Sequence, residues 1–196
     1  MQPRIRLMRS FDTRSHSYLG YVLRLKGLVD GISKDFTLAI GKAAQTKHGF
    51  QVGDEIEGMA ESVADERQEV ANYYKASKLR ILNRGSVAKE KPPPWTGKSP
   101  TLETYRERGH RRLATRSYEL KCQSCIWGCK MPVEIIVDHW NPSKKKYRFE
   151  TWCYGPKSCS IYSAGPTRKV PARQGMVWEE EDWIDEESTS HRSQNE

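Results

Sequence analysis

Five cysteines carry the clearest chemistry in this sequence, and four of them fall into two pairs. Cys122 and Cys125 are separated by two residues, and Cys153 and Cys159, separated by five, follow after 27 intervening residues. Thiolates are favoured ligands of Zn²⁺, and a two-residue spacer lets both sulfurs of one turn point at a single ion. We therefore predict a structural zinc site formed by Cys122, Cys125, Cys153 and Cys159.

The fifth cysteine, Cys129, keeps other interpretations open. Together with Cys122 and Cys125 it makes a C-x2-C-x3-C run, so a [4Fe–4S] cluster is the main alternative to zinc. A redox dithiol at Cys122 and Cys125 suits the sequence less well, because such a pair opens a helix and this one leads into a strand-like segment. If the metal is zinc, we expect Cys129 to be a small core residue.

The residues between the two cysteine pairs predict a β-hairpin. The run MPVEIIVDHW has strand-like alternation, NPSKKK begins with the Asn-Pro signal of a turn, and YRFETW alternates again. The order of cysteine turn, strand, turn, strand and cysteine turn resembles a zinc ribbon. That resemblance implies that the hairpin brings both cysteine pairs to one tetrahedral ion, which would substitute for part of a small hydrophobic core.

Basic side chains are concentrated in two segments near the cysteines. The tip of the predicted hairpin combines cations with an aromatic ring, which suits phosphate contact and base stacking. A helix predicted to begin at Ser99-Pro100 is crowded with arginine. We predict that the nucleic-acid-binding residues are Lys144, Lys145, Lys146, Tyr147 and Arg148 of the hairpin and Arg106, Arg108, Arg111 and Arg112 of the helix. A soluble charged turn and a solvated connector helix are the alternatives.

The first part of the chain predicts short strands. YLGYVLRLKGLV, DFTLAIG, GDEIEG and YYKASKLRIL each place apolar residues on one side. Over residues 15–83 this pattern resembles an OB-fold, a small five-stranded Greek-key barrel. The resemblance implies a site for single-stranded nucleic acid or oligosaccharide on strands 2 and 3 and their loops. Tyr18, Tyr74 and the hairpin's Tyr147 are the stacking candidates.

The net charge of the chain favours a polyanionic partner, whereas two acidic segments argue against binding at every surface. The chain has a formal net charge of +8, yet residues 50–70 hold seven acidic residues against one arginine, and residues 177–196 hold eight against one. Phosphate is attracted by Lys and Arg, so the acidic barrel strand is an unfavourable binding face. We expect the acidic tail to fold back on the basic surface and to weaken polyanion binding.

We predict a mainly β protein with a small OB-like barrel, a zinc-ribbon hairpin domain and one short basic helix between them. The last ten residues are predicted to be disordered. The predicted segments are a basic N-terminal arm (1–14), the barrel (15–83), a proline-rich linker (84–99), the basic helix (100–116), the zinc-ribbon-like domain (117–176) and an acidic Trp-containing tail (177–196).

These features predict non-catalytic binding of nucleic acid, with DNA or RNA and single strand or duplex left open. No phosphate-binding glycine loop, H-E-x-x-H motif or nucleophile–base set is visible, so we expect no enzyme. The alternatives are an iron–sulfur protein and a regulatory subunit that binds a basic protein through the acidic strand and tail. The basic start of the chain has no apolar signal region and no segment has the length of a membrane span, so we expect a cytoplasmic location. Thiols stay reduced there, which favours metal binding over disulfides for the clustered cysteines.

Overall fold

The computed structural model describes residues 1–86, 92–180 and 183–193. Strands hold 45% of the residues and helices 17%, which confirms the predicted mainly β class. The strands are β1 (Gln2–Arg9), β2 (Arg14–Val29), β3 (Ile32–Gly41), β4 (Glu55–Ser62), β5 (Tyr73–Asn83), β6 (Arg111–Arg112), β7 (Gly128–Ile136), β8 (Lys145–Cys153), β9 (Arg168–Pro171) and β10 (Val177–Glu180). The helices are α1 (Lys42–His48), α2 (Leu102–Arg108), α3 (Thr115–Ser117) and α4 (Trp183–Thr189), with a π-helical turn at Tyr118–Cys122 and a 3-10 turn at Arg173–Gly175.

Eight strands form one mixed sheet in the order β4-β5-β3-β2-β1-β7-β8-β6, and β9 pairs with β10. The first three strands form an antiparallel meander, β5 joins β3 in parallel, and β4 pairs with β5. The predicted closed barrel is not found in the described residues. β1, the strand at the start of the meander, pairs with β7 instead of closing the first five strands on β4.

Residues 2–9, which the sequence analysis assigned to a basic arm, form the strand β1 in the middle of the sheet. β1 pairs along its length with β2, and its residues 7–9 pair in parallel with residues 133–135 of β7. Ile5 and Leu7 are fully buried. In the segment QPRIRLMR buried apolar side chains therefore alternate with other residues, as in a strand. Its three arginines led to its assignment as a basic arm.

The predicted hairpin between the cysteine pairs is confirmed. β7 and β8 are antiparallel, with Gly128 opposite Cys153 at one end and Ile136 opposite Lys145 at the other. The cysteines therefore lie at one end of the hairpin, and the turn of residues 137–144 lies at the other. We call these the cysteine end and the tip end.

One hydrophobic core joins the two predicted domains. Ile5 and Leu23 from the N-terminal strands belong to the same buried cluster as Met131 and Trp152 of the hairpin. The β1–β7 pairing carries the sheet across the same boundary. The hairpin is thus held on the N-terminal strands by a continuous sheet and a shared core.

The single helix predicted over residues 100–116 is replaced by the seven residues of α2, the short strand β6 and the start of α3. Its N-cap is Thr101, whose hydroxyl oxygen accepts a hydrogen bond from the Thr104 N–H. Gly109, with φ of +65°, ends the helix, and a Cβ there would lie 1.9 Å from the Ser188 carbonyl oxygen. A glycine is required at this point, because α4 packs directly against it.

The acidic tail is folded onto the rest of the molecule. β10 pairs with β9, and α4 continues the described chain from residue 183. Arg192 is buried and donates to the Gly155 carbonyl oxygen at 2.6 Å. The disorder predicted for the last ten residues is therefore wrong for residues 187–193. None of the helices in the described ranges is long and apolar enough to cross a membrane.

Candidate metal centre and nucleic-acid interface

The four paired cysteines are brought to the cysteine end by the hairpin register. Cys122 ends the π-helical turn, and the Cys125 N–H donates to its carbonyl oxygen at 3.1 Å. Cys153 ends β8, and the Cys159 N–H donates to the Pro156 carbonyl oxygen at 3.2 Å in a second tight turn. Two short turns therefore present the two cysteine pairs on either side of one hairpin end.

Three of these thiols lie in a small hydrophobic cluster separate from the main core. Cys122, Cys125 and Cys153 are buried there with Leu113 and Tyr118. Cys159 is half-buried. The cluster excludes water from most of the group, which suits a structural rather than a catalytic site.

The four thiols are close enough to influence one another. The pKa of Cys122 is raised to about 12, first by burial and then by the negative charges that Cys125, Cys153 and Cys159 would carry as thiolates. Burial also raises the pKa of Cys125 and Cys153. Four thiolates this close, three of them buried, would repel each other strongly, and a divalent cation among them would offset that repulsion.

A backbone N–H group faces one of the sulfurs. The Gly155 N–H donates to the Cys153 sulfur at 3.4 Å. Burial raises the pKa of Cys125, and hydrogen bonding to the backbone, first of all at Trp127, opposes that rise. Such N–H to sulfur bonds are the outer contacts that stabilise metal-bound thiolates.

The side chains as they stand do not form a coordination sphere. Within residues 1–86, 92–180 and 183–193, no three His, Cys, Asp or Glu side chains are grouped so that they could hold an ion. The thiols are neighbours at one hairpin end without converging on one point. The donor type, the burial and the N–H groups nevertheless fit a thiolate-bound metal.

Cys129 lies elsewhere, in the main core. It is 0% exposed, lies opposite Trp152 in the hairpin, and its S–H donates to the Pro3 carbonyl oxygen at 3.4 Å. Burial alone raises the pKa of Cys129, with no contribution from another thiol. The C-x2-C-x3-C run is therefore continuous in sequence but split between two environments in space.

At the tip end, the predicted lysines differ in their partners. Lys145 binds Glu134 at 2.7 Å. Lys144 and Lys146 are exposed and have no carboxylate partner among the described residues. These two cations are accessible to an external anion.

Two other predicted tip residues have internal contacts. The guanidinium of Arg67 lies 4.9 Å from the centre of the Tyr147 ring. Arg148 binds Glu150 at 2.5 Å and donates to the Lys169 carbonyl oxygen. Tyr147 already stacks with a cation, and Arg148 ties β8 to β9.

The arginines predicted on the helix lie on aromatic rings. Arg106 is 4.8 Å from the centre of the Tyr18 ring. Arg108 is 4.6 Å from the Trp127 ring, and its Nε donates to the Tyr154 carbonyl oxygen at 2.9 Å. Arg108 thereby secures α2 to the cysteine end.

The remaining two arginines of this group follow α2 in β6. Arg111 lies 3.8 Å from the Tyr162 ring and donates to the Pro156 carbonyl oxygen at 2.9 Å. Arg112 is buried, and its Nε and backbone N–H both donate to the Asp185 carboxylate at 2.8 Å. These contacts have a structural role in holding the cysteine end and α4.

The two predicted groups of phosphate-binding residues are far apart. β6 pairs with the end of β8 that carries Cys153, whereas the lysines lie at the other end of that strand. Nine residues of extended chain separate the two ends by roughly 25 Å. The structure does not bring the helix arginines and the tip lysines together.

The tail supplies a buried charge network beneath the sheet. Glu180 accepts from Arg9 and Arg14, each at 2.6 Å, and Arg9 also binds Glu150 at 3.1 Å. Arg168, expected to extend the basic surface, is buried beside Glu150. Glu180 of the tail therefore neutralises arginines of the body, and no ion pair between the tail and the tip lysines is found among the described residues.

Sequence reasoning missed a group of exposed aromatic side chains at the tip end. Phe11, Trp140 and Trp178 line one groove of about 580 Å³. Trp140 is 81% exposed, and the Arg173 guanidinium lies 5.1 Å from its ring. The tryptophan just before Asn-Pro in the predicted turn could have indicated an exposed aromatic ring. The meeting of three segments that are distant in sequence could not be predicted from neighbouring residues.

Comparison of the chain with protein-family models, with curated proteins and with solved structures found no match.

Proposed function

We propose that the protein binds nucleic acid without catalysing a reaction, and that it contacts phosphates at the tip end. The observation that carries this proposal is the pair of exposed lysines, Lys144 and Lys146, which have no carboxylate partner in the described residues and lie in or beside the turn that exposes Trp140. Exposed cations next to an aromatic ring are the combination that binds a nucleic-acid strand.

The acidic segments give less support to the alternative of a basic protein partner. On β4, Glu61 binds Lys75 at 2.7 Å and Glu57 lies 3.6 Å from Arg80, both on the neighbouring strand. The acidic residue Glu180 of the tail is buried against arginines of the body. These carboxylates already have internal partners, so they offer a basic protein less unpaired charge.

We also propose that Cys122, Cys125, Cys153 and Cys159 hold a structural zinc ion at the cysteine end. The ion would supply a fixed link between two turns and would keep the thiols deprotonated. The mutual effect of the four thiols on the pKa of Cys122 and the Gly155 N–H that faces the Cys153 sulfur support this proposal. The location of Cys129 in the main core favours four thiolate ligands over a cluster that uses the C-x2-C-x3-C run.

The N-terminal strands are proposed to be an opened relative of the OB-like barrel. The order of the meander, the parallel β3–β5 pair and α1 between β3 and β4 support this description. In this proposal β1 is the bridge to the hairpin, and the N-terminal strands serve as a platform for the tip end.

The phosphate contacts are tested by removing two charges at the tip. Binding of a fluorescent single-stranded oligonucleotide is measured by anisotropy over a range of salt concentrations for the full chain. The double variant Lys144→Ala, Lys146→Ala is expected to lower the slope of log K against log salt by about 1.4, because each lost contact with a single strand contributes about 0.7.

A matched pair of lysines serves as the control. Lys26 and Lys47 are exposed on β2 and α1, away from the tip end. Replacing both by alanine removes the same net charge and is expected to leave the slope nearly unchanged. Equal effects of the two double variants would show that only net charge matters, and no binding at low salt would refute the proposed function.

A further inference from the structure

The groove at the tip end is built from segments that are distant in sequence. It is lined by Phe11 from the β1–β2 connection, by Trp140 from the hairpin turn, by Met176, and by Val177 and Trp178 of β10. Each of these side chains is at least 45% exposed. Exposed apolar side chains that share one concave surface are typical of a binding site, whereas isolated ones are not.

The wall around residue 174 has an unusual backbone. Gln174 has φ of +58°, in the left-handed region that residues other than glycine rarely adopt, and Gly175 follows with φ of +81°. This turn holds Arg173 over the Trp140 ring and directs Met176 into the groove. A left-handed backbone conformation at a residue other than glycine costs conformational energy, and such conformations cluster at ligand-binding and other functional sites.

Cations at the rim of the groove are available to an anion, whereas its carboxylates are partly satisfied. Asp138 lies 3.8 Å from Arg173, and Asp12 lies 3.2 Å from His139. Lys146 lies two residues before Arg148 on β8, so the two side chains share one face of the strand. On that face Arg148 binds the backbone of β9, so Lys146 lies on the side of the hairpin where the groove opens. With Lys144, it places positive charge beside an aromatic surface.

We infer that this groove takes the unpaired bases of a single-stranded nucleic acid, with Trp140 and Trp178 as stacking surfaces and Lys144 and Lys146 on the adjacent phosphates. The inference rests on the proposed function and specifies the form of its ligand. The bases of a single strand have apolar faces and the backbone that carries them is anionic, which matches aromatic walls with cations at the rim. A duplex keeps its bases stacked on each other, so it can use the lysines but not the groove.

Stacking is separated from phosphate contact by comparing two strands of equal length. The probes are oligothymidylate of about 12 nucleotides, within the usual span of one binding module, and a strand of the same length with abasic sites throughout. Trp140→Ala is expected to weaken oligothymidylate binding by about 5- to 100-fold, the effect of losing one stacked base. The same substitution is expected to leave the affinity for the abasic strand nearly unchanged, and Trp140→Phe should restore most of the loss.

Leu28→Ala provides the matched control, because Leu28 is 73% exposed and lies near the turn between β2 and β3, outside the lining of the groove. Trp140 is itself so exposed that its replacement is not expected to disturb folding, and far-UV circular dichroism checks this. If both strands bind equally well to the native chain, and Trp140→Ala changes neither, the stacking inference is overturned while the phosphate-binding function stands. That outcome would favour an apolar protein segment as the occupant. If neither strand binds at low salt, the proposed function itself is overturned.

Discussion

At the residue scale, the cysteines differ by environment more than by spacing. Cys129 follows Cys125 closely in sequence, yet its thiol lies in the main core and donates to the Pro3 carbonyl oxygen. Cys153 is much farther away in sequence and shares the small cluster with Cys122 and Cys125. We therefore predict that Cys153→Ser reduces bound zinc to well below one ion per chain, whereas Cys129→Ala keeps the full amount.

Elemental analysis of the purified variants, with a visible absorption spectrum, measures this difference. Cys129→Ala loses a small core group and is expected to cost only about 1 kcal/mol of folding free energy, so the variant remains folded at room temperature. Loss of metal in Cys129→Ala, or the visible absorption and iron content of a cluster in the native chain, would contradict the zinc proposal.

His16 leads to a prediction about pH. Burial, followed by the positive charges of Arg14 and Arg9, lowers the pKa of His16 from its ordinary 6.5 to about 4, and Glu180 opposes the shift. Its ring lies 4.6 Å from the ring of His110, whose pKa burial also lowers. Between pH 6.5 and 4 the unfolded chain binds more protons at these histidines than the folded chain, so folding stability falls as the pH is lowered.

The substitution His16→Gln removes one of these two contributions. When the pH falls from 6.5 to 4, we expect the unfolding free energy of the variant to fall by about 3 kcal/mol less than that of the native chain. This is the free energy that corresponds to the pKa shift of His16. Urea unfolding at several pH values measures this difference. Parallel stability curves for the two proteins would show that the His16 ring is not kept neutral by the fold.

At the element scale, the tail is a structural element of the molecule. Its Glu180 neutralises Arg9 and Arg14, and α4 is held on β6 by the contacts of Arg112 with Asp185. None of the contacts described for the tail reaches Lys144 or Lys146. The expectation that the tail weakens polyanion binding stays untested, and these contacts indicate a role in stability.

We predict that Glu180→Ala lowers the unfolding free energy by about 3 kcal/mol, because it leaves a buried arginine without one of its partners. Oligonucleotide affinity measured below the unfolding transition should stay the same. Glu179→Ala is the matched control, since the neighbouring Glu179 is exposed and, among the described residues, its side chain accepts a hydrogen bond only from Thr167. A rise in affinity with Glu180→Ala, without loss of stability, would instead support an autoinhibitory tail.

At the scale of the whole molecule, the shared sheet predicts one cooperative unit. All six tryptophans lie between residues 95 and 183, so their fluorescence reports on the part that follows the N-terminal strands. Leu7 of β1 is fully buried beside β7. We expect Leu7→Ala to shift the tryptophan-detected urea midpoint by the equivalent of about 3 kcal/mol. An unchanged tryptophan-detected transition, with a shifted signal in far-UV circular dichroism, would indicate two independent domains.

Local patterns predicted the hairpin correctly, whereas the zinc site at its cysteine end stays a prediction. Strand alternation on both sides of Asn-Pro, and short spacers between thiols, are properties of a few neighbouring residues. The role of residues 2–9 was missed, because their parallel pairing with β7 joins segments more than 120 residues apart. The burial of Arg112 was missed for the same reason, since its partner Asp185 lies in the tail.

The candidate interface shows the same division between local and distant information. Lys144 and Lys146 are exposed because they lie in or beside a polar turn, and both lysines were predicted as binding residues from the sequence. The groove needs Phe11, Trp140 and Trp178 together, and these come from three connections whose meeting depends on the β1–β7 and β9–β10 pairings. The net charge of the sequence also overestimates how available the arginines of α2 and β6 are to phosphate, because it takes no account of their contacts with aromatic rings and carbonyl oxygens.

Nucleic acid is proposed to bind at the tip end. Photo-cross-linking of the full chain to a single-stranded oligonucleotide that carries halogenated pyrimidines, followed by peptide mass spectrometry, locates the binding surface. We predict cross-links in the peptides that contain Trp140 and Trp178, and their loss when salt is raised. Cross-links confined to the α2 peptide with Arg106 or to β4, or none at low salt, would contradict the claim.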